Sequence, residues 1–303
     1  MSVDGRAGFV RAMPWVFVVI WSTGFVVARG AMPHAPPFGF LAIRFALSFV
    51  CLTAWVAAAG AAWPASRQQR GHLVVTGVLM QAGYLGGVWA AVKAGLGAGT
   101  VALIVGLQPV LTALWVARTA RAGERSGVTA RQWLGLGFGF AGIGLVVWRK
   151  LGGEVTPVNL SLAAVALLGI TIGTLYQKRF VAPCDVRSAS AVQMLAGLAV
   201  CAPLALLETE TIRWHADLIA AMAWSVVVLT LGGSSLLYLL IQRGEATAVT
   251  SLLYLVPPCT ALLAWAMFGE SLTPIMMAGV ALTVVGVALV VRSPPSVESK
   301  EKP

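Results

Sequence analysis

Formal charge is nearly absent from the apolar stretches of this chain, which makes Arg44 the first residue to question chemically. It stands seven residues after Pro37, in a run from Pro37 to Ala59 that holds no other charged side chain. Placing a guanidinium in hydrocarbon costs at least about 2.5 kcal/mol. Arg44 therefore either binds a substrate carboxylate, or snorkels toward the nearer face or caps carbonyl groups of a neighbouring helix. Polar groups also recur near the middle of other apolar runs: Trp21, Ser22 and Thr23; Gln81 and Tyr84; Gln108; Thr171 and Thr174; Gln193; Ser234 and Ser235; Tyr254. An unpaired polar group is costly in lipid, so these positions are expected to face inward. Singly they read as helix–helix hydrogen bonds, and collectively they read as a central cavity. Trp21, Tyr84, Trp89, Tyr176, Tyr238 and Tyr254 add ring faces that can stack on an aromatic or planar cationic solute. Trp63, Trp133, Trp148 and Trp214 sit where interfacial anchors belong.

The residues that other chemistries need are misplaced or missing. All eleven Asp and Glu fall in loops, tails or helix ends, and His34, His72 and His215 lie at or beyond helix ends. Proton-coupled carriers usually present a titrating group inside the membrane, and none of these groups is placed there, so any solute path through the chain is expected to be uncoupled from protons. The four cysteines, Cys51, Cys184, Cys201 and Cys259, form no close pair, and no cofactor or metal site is expected. Gly137-Phe138-Gly139-Phe140-Ala141-Gly142 matches a dinucleotide-binding pattern, but it lies inside an apolar run with no preceding strand. Gly135, Gly139 and Gly142 instead suit close helix packing in lipid. The fifth and tenth runs share this apolar, glycine-bearing character, which predicts that they are peripheral. Pro109, Pro257 and Pro258 interrupt runs four and nine, and such paired breaks point to a binding or hinge function. No nucleophile, metal cluster or acid pair converges at one depth, so an enzyme is not expected.

The elements that must position these residues follow from composition. Of 303 residues, 58% are hydrophobic and 11% are charged, and the mean hydropathy is +0.86. A soluble domain carries about 25% charge, so the chain is expected to lie in a lipid bilayer. Helices are predicted at 12–30, 37–59, 72–93, 98–117, 131–148, 159–178, 187–207, 217–241, 247–268 and 273–291, each able to span most of about 30 Å of hydrocarbon. The basic start resembles a signal peptide but lacks a convincing cleavage site, so a retained first helix is expected. Ten spans place fifteen of the 21 Lys and Arg residues on the side of both termini. Five (Arg29, Lys93, Arg149, Lys150 and Arg213) fall on the other, which predicts cytoplasmic termini. The positive charge is thus spent on orientation, and no nucleic-acid partner is expected.

An internal repeat organises the chain. Pro109-Val110-Leu111-Thr112-Ala113-Leu114 aligns with Pro257-Pro258-Cys259-Thr260-Ala261-Leu262. Gly123-Glu124 aligns with Gly269-Glu270, and Gly142-Ile143-Gly144-Leu145-Val146-Val147 with Gly286-Val287-Ala288-Leu289-Val290-Val291. Five spans per half is odd, so the halves must be inserted in opposite senses, as in many secondary transporters. The expectation is an all-α membrane protein of about ten transmembrane helices in two inverted five-helix repeats. The segments are 1–11, a cytoplasmic start; 12–149, the first repeat; 150–292, the second; and 293–303, a disordered tail.

Pro257 through Gly269-Glu270-Ser271-Leu272-Thr273 to Gly279 and Gly286, together with Trp21-Ser22-Thr23-Gly24, resembles the drug/metabolite transporter superfamily, as two copies of its EamA-type repeat. Within it, the likeness is to the YddG-type exporters of aromatic amino acids and methyl viologen. The resemblance implies a transporter of small organic solutes in a bacterial inner membrane, working by alternating access around a cavity walled by helices 1, 3, 4, 6, 8 and 9. The alternative within the fold is a multidrug, nucleotide-sugar or lipid-linked-sugar carrier; a non-transporting membrane subunit is the remote one. Cavity candidates are Trp21, Ser22, Arg44, Gln81, Tyr84, Trp89, Gln108, Tyr176, Tyr238 and Tyr254, with Pro109, Pro257 and Pro258 as hinges. The partners are the solute and the bilayer; the oligomeric state is open, with a monomer plausible.

Overall fold

The structure is a computed structural model and describes residues 3–119, 130–150, 154–233, 236 and 255–291. Every element described is helical. In chain order they are α1 Val3–Ala31, α2 Pro37–Ala58, α3 Arg67–Lys93, α4 in two pieces (Ala98–Val105 and Gln108–Thr119), α5 Ala130–Lys150, α6 Pro157–Phe180, α7 Val186–Ala205, α8 Ala216–Gly232, α9 Val256–Phe268 and α10 Pro274–Val291. Four of them, α2, α3, α6 and α7, are long and apolar enough to cross a membrane, and the others carry shorter apolar cores. Large apolar side chains cover the outside, among them Val50, Leu168, Leu195 and Val227, while Phe40, Phe45, Leu52 and Leu103 are fully buried. That inside-and-outside hydrophobicity is what a lipid-embedded bundle requires.

Local signals set the helix starts. Pro37 opens α2 at a position where its missing N–H is not needed. Thr156 and Asn159 form a reciprocal capping box at the start of α6, and the Asp185 carboxylate accepts from Arg187 N at the start of α7. Hydropathy expects α3 to begin at 72; it begins at Arg67, because Ser66 Oγ accepts Gln69 N at 3.0 Å and so extends the helix through a polar first turn. At the other end of α9, Gly269 closes the helix with φ +66°, a left-handed conformation that suits glycine.

α3 is the inner helix, held between α6 and α7 by small residues. A Cβ on Gly87 would stand 2.7 Å from Leu162 O, and one on Gly169 would stand 2.7 Å from Tyr84 N. Side chains there would force the helices apart. Two stretches, Val78–Leu85 of α3 and Trp224–Gly232 of α8, are wound as π-helix. Each ends at a glycine pair, Gly86-Gly87 and Gly232-Gly233; at Gly87 the missing Cβ makes room for α6.

The bundle has two distinguishable ends. The connections α1–α2, α3–α4, α5–α6, α7–α8 and α9–α10 gather at one, called the upper end below. The α2–α3 and α6–α7 connections meet at the opposite, lower end, where Gln69 Nε2 donates to Ala182 O and Ser188 Oγ to Ala62 O.

Candidate functional site

Six helices line a cavity of about 140 Å³. Trp21, Gly24 and Phe25 come from α1, Arg44 from α2, Met80, Gln81, Tyr84, Leu85, Val88 and Trp89 from α3, Ile170 from α6, Met194 from α7, and Leu229 and Thr230 from α8. A cavity of roughly 150 Å³ is known to admit a benzene ring, so this one has room for a single six-membered ring. Arg44 is 6% exposed and its Nε has no hydrogen-bond partner. The guanidinium carbon lies 6.0 Å from the centre of the Trp89 ring, which is itself stacked on Phe40 at 4.4 Å. Arg44 thus turns into the protein, and the snorkelling alternative does not describe it.

Both π-helical stretches face this cavity. Gln81 and Tyr84 lie on the first, Leu229 and Thr230 on the second. Thr230 Oγ1 donates to Ser225 O, five residues back, at 3.0 Å, and Ser48 Oγ of α2 donates to Thr230 Oγ1 at 3.4 Å. A wide turn rotates its side chains out of helical phase, which is how adjacent polar groups on α3 and α8 come to share one space.

A second cavity of about 80 Å³ shares Trp21, Phe25, Tyr84 and Ile170 with the first and lies against the break in α4 and the start of α9. Its remaining walls include Gly106, Gln108 and Pro109 of α4, Val256 and Pro257 of α9, and Thr283, Val284 and Val287 of α10. α4 is interrupted at Gly106-Leu107, just before Pro109, and Pro257 and Pro258 occupy the first turn of α9. The two sites touch: a Cβ on Gly106 would stand 2.9 Å from Pro257 Cγ. Gln108 Nε2 donates to Thr174 Oγ1 at 3.1 Å and so fixes the broken helix against α6.

The sequence candidates therefore divide. Trp21, Arg44, Gln81, Tyr84 and Trp89 meet in the first cavity, and Gln108, Pro109 and Pro257 line the second. Ser22 is a correction: it has no exposure and lines neither cavity, because its hydroxyl donates to Val18 O at 2.7 Å and approaches Val256 O at 3.5 Å, joining α1 to α9. Tyr176 is another. Its hydroxyl pairs with His72 Nδ1 at 2.8 Å and its ring tilts against Phe180, 4.7 Å away, toward the lower end. Pro258 lines neither cavity. Tyr238 and Tyr254, like Ser234, Ser235 and Glu124, lie outside the described residues. α10 is not peripheral, since it walls the second cavity, and α2 and α7 contribute to the first through Arg44 and Met194. Met80, Met194, Leu229 and Thr230 escaped sequence reasoning because their lining position depends on the π-helical phase and on glycine-mediated crossings. The paired glycines after each wide turn were the available signal.

The upper end carries a set of polar ties. Lys93 Nζ meets the Glu210 carboxylate at 2.6 Å and also donates to Met32 O and Ala35 O. Glu208 accepts from Phe38 N and Gly39 N at the start of α2, at 3.0 and 2.8 Å. Glu270 accepts from Ala98 N and Gly99 N at the start of α4, with Arg29 at 3.8 Å. Each carboxylate lies at a helix N-terminus or beside a cation, where it is stabilised. His34 and His215 stack at 4.8 Å on the same end, beside Asp217.

Comparison with known proteins gives the same architecture a family. The profile of the EamA-like transporter family matches twice, over residues 13–148 and 158–292. Among curated proteins, the uncharacterized transporter YvbV of Bacillus subtilis (strain 168) is 25% identical over 281 residues, spanning 90% of this chain and 88% of that protein. The uncharacterized transporter sll0355 of Synechocystis sp. (strain ATCC 27184 / PCC 6803 / Kazusa) is 24% identical over 313 residues, spanning 94% and 89%. A solved crystal structure superposes with a TM-score of 0.61 at 20% identity, covering 92% of this chain and 95% of its own, which is a likeness of fold.

Proposed function

The chain belongs to the EamA-like transporter family, and from that premise we propose that it is a secondary transporter exporting small organic solutes across the bacterial inner membrane. Amino acids, aromatic ones included, are the proposed substrate class. The observation that carries this reading is the pair of adjoining cavities beside the α4 break and the start of α9, walled by Trp21, Tyr84 and Arg44 from the first matched segment and by Ile170, Thr230 and Pro257 from the second. A site shared by two repeats inserted in opposite senses, at 12–149 and 150–292, is the arrangement that alternating access needs.

The charge asymmetry of the connections supports cytoplasmic termini, which makes the upper end periplasmic. The ties of Lys93, Glu208, Glu210 and Glu270 then close the periplasmic side. Export proceeds by releasing those ties while the lower end closes, with the breaks at Gly106 and Pro257 absorbing the change in backbone angle. Among the described residues no Asp, Glu or His lines either cavity, which supports movement uncoupled from protons. The aromatic lining and the likeness to YddG-type exporters support the substrate class.

Reconstitution of the purified chain in liposomes tests this reading. Labelled phenylalanine should equilibrate whether or not a pH gradient is imposed. Failure to move any amino acid while another solute moves briskly removes the substrate class; uphill accumulation that collapses with the pH gradient removes the uncoupled mechanism.

A further inference from the structure

Arg44 is a buried cation of the cavity with no ion-pair partner among the described residues. It is buried, its Nε is unpartnered, and its described electrostatic neighbours are the Tyr84 side chain and the Trp89 face, the latter at 6.0 Å and weak at that range. Among the described residues no carboxylate is ion-paired with it and none lines the cavity. The acids near the membrane surface, Glu208, Glu210 and Glu270, are already bound to helix N-termini and to Lys93 at the upper end. A guanidinium keeps its charge, and a buried charge without a partner destabilises the protein that holds it. Such a residue persists where its partner arrives from outside.

We infer that Arg44 is the carboxylate anchor of the cavity, which accordingly takes solutes bearing a free carboxylate beside an apolar or aromatic body and rejects organic cations. This rests on the reading of the cavity as the transport path. The planar guanidinium offers two parallel N–H donors that match the two oxygens of a carboxylate. Around it Phe25, Leu85, Val88, Ile170 and Met194 form an apolar chamber with space for one ring. The Gln81 amide oxygen and the rings of Trp21 and Tyr84, in the same wall, face an α-ammonium group if the solute has one. A solute that is only cationic meets the reverse situation. It is repelled by Arg44, finds no described carboxylate, and finds the Trp89 face already beside a cation. The geometry thus separates two solutes that the sequence resemblance joined, the aromatic amino acid and the planar dication.

Two matched probes decide the matter: phenylacetate, a carboxylate without an amine, and phenethylamine, an amine without a carboxylate, with methyl viologen as a planar dication. The full chain in detergent is titrated with each while tryptophan fluorescence is read, since Trp21 and Trp89 line the cavity. Phenylacetate should quench saturably, and phenethylamine and methyl viologen should bind at least about 10-fold more weakly. Arg44→Gln should weaken phenylacetate by about 10-fold or more, and Arg44→Lys, which keeps the charge but loses the fork, by less. Size-exclusion chromatography checks that the variants remain folded; should Arg44→Gln not fold, the wild-type preference among the three probes decides alone. No phenylacetate binding, equal binding of the amine or the dication, or unchanged phenylacetate affinity in Arg44→Gln overturns the inference. Phenylalanine counterflow in liposomes separates it from the transport reading. Phenylacetate bound through Arg44 with no phenylalanine movement sinks the amino-acid substrate and keeps the anchor, whereas phenylalanine movement untouched by Arg44→Gln does the reverse.

Discussion

Among the places where the two segments that match the same family meet, two are built by opposite physical means. Along α5 and α10 the joint is a glycine seam: a Cβ on Gly279 would stand 2.6 Å from Gly142 O, one on Gly286 would stand 2.5 Å from Gly135 O, and a Cβ on Gly142 would overlap Gly279 O. Backbone lies against backbone, and nothing in that contact can be released without separating the helices. At the upper end the joint is polar. Glu208, Glu210 and Glu270, all from the second segment, hold Phe38 N, Lys93 and Ala98 N, all from the first. Each of these ties can exchange its partner for water at a limited net cost, because a part-buried charged cap or ion pair of this kind contributes about 0.3–2 kcal/mol. The seam is therefore built as a fixed axis and the upper end as a latch.

The seam gives the largest expected effect. Gly142→Leu or Gly279→Leu forces a side chain into neighbouring backbone, beyond the usual 1–3 kcal/mol of overpacking, so monodisperse protein should be lost in fluorescence-detected size-exclusion chromatography. Gly137→Leu and Gly144→Leu, on the same helix but with open space at the Cβ, should elute like the parent. Equal loss from all four would mean that the seam is not a specific contact. Next comes the latch. Lys93→Met removes the Glu210 pair and two carbonyl contacts, and should shift the closed-to-open equilibrium by about 1–2 kcal/mol. A cysteine placed at Gly24, in the first cavity, should then react with a polar thiol reagent about 10-fold faster; an unchanged rate would show that the upper end is not what closes the cavity.

Smaller effects sharpen the contrast. Glu270→Gln keeps an acceptor for Ala98 N but loses the charge at the start of α4, and should raise the same reaction rate about 2- to 5-fold, in line with a helix-terminus contribution of about 0.3–1 kcal/mol. Ser22→Ala removes a hydroxyl that donates to Val18 O within α1 and only approaches Val256 O of α9 at 3.5 Å, a loss of at most about 0.6 kcal/mol in lipid, and should lower thermal stability slightly with transport unchanged. The smallest effect belongs to the lower end. Hydrogen bonds from Arg187 hold the Asp185 carboxyl below the ordinary carboxylate range. A depressed pKa in the folded state adds stability that is fully present above the unfolded value, about 3.9, and is lost as pH falls further. Melting temperature should thus decline below about pH 4, and Asp185→Asn should flatten part of that decline.

Much of this molecule could be read from one sequence. Hydropathy alone places ten helices, because a span through lipid demands an apolar run and tolerates little else, and the break at Pro109 follows from a ring that cannot donate. Gly135, Gly139 and Gly142 read correctly as packing residues for the same covalent reason. The site was legible only in part. Trp21, Arg44, Gln81, Tyr84 and Trp89 were found by type, yet Ser22 and Tyr176, of the same types, are engaged with Val256 and His72.

The difference lies in what each property depends on. Membrane insertion, helix number and the locations of charge and proline are properties of short windows, set by side-chain transfer energies and backbone chemistry that the sequence itself carries. Which way Arg44 turns, that α3 and α8 widen into π-helix, and that the carboxylates of one segment cap the helices of the other depend on contacts between residues on different helices, far apart in the chain. Only close packing, where a missing Cβ on Gly87 or Gly169 sets the distance between helices, could decide them.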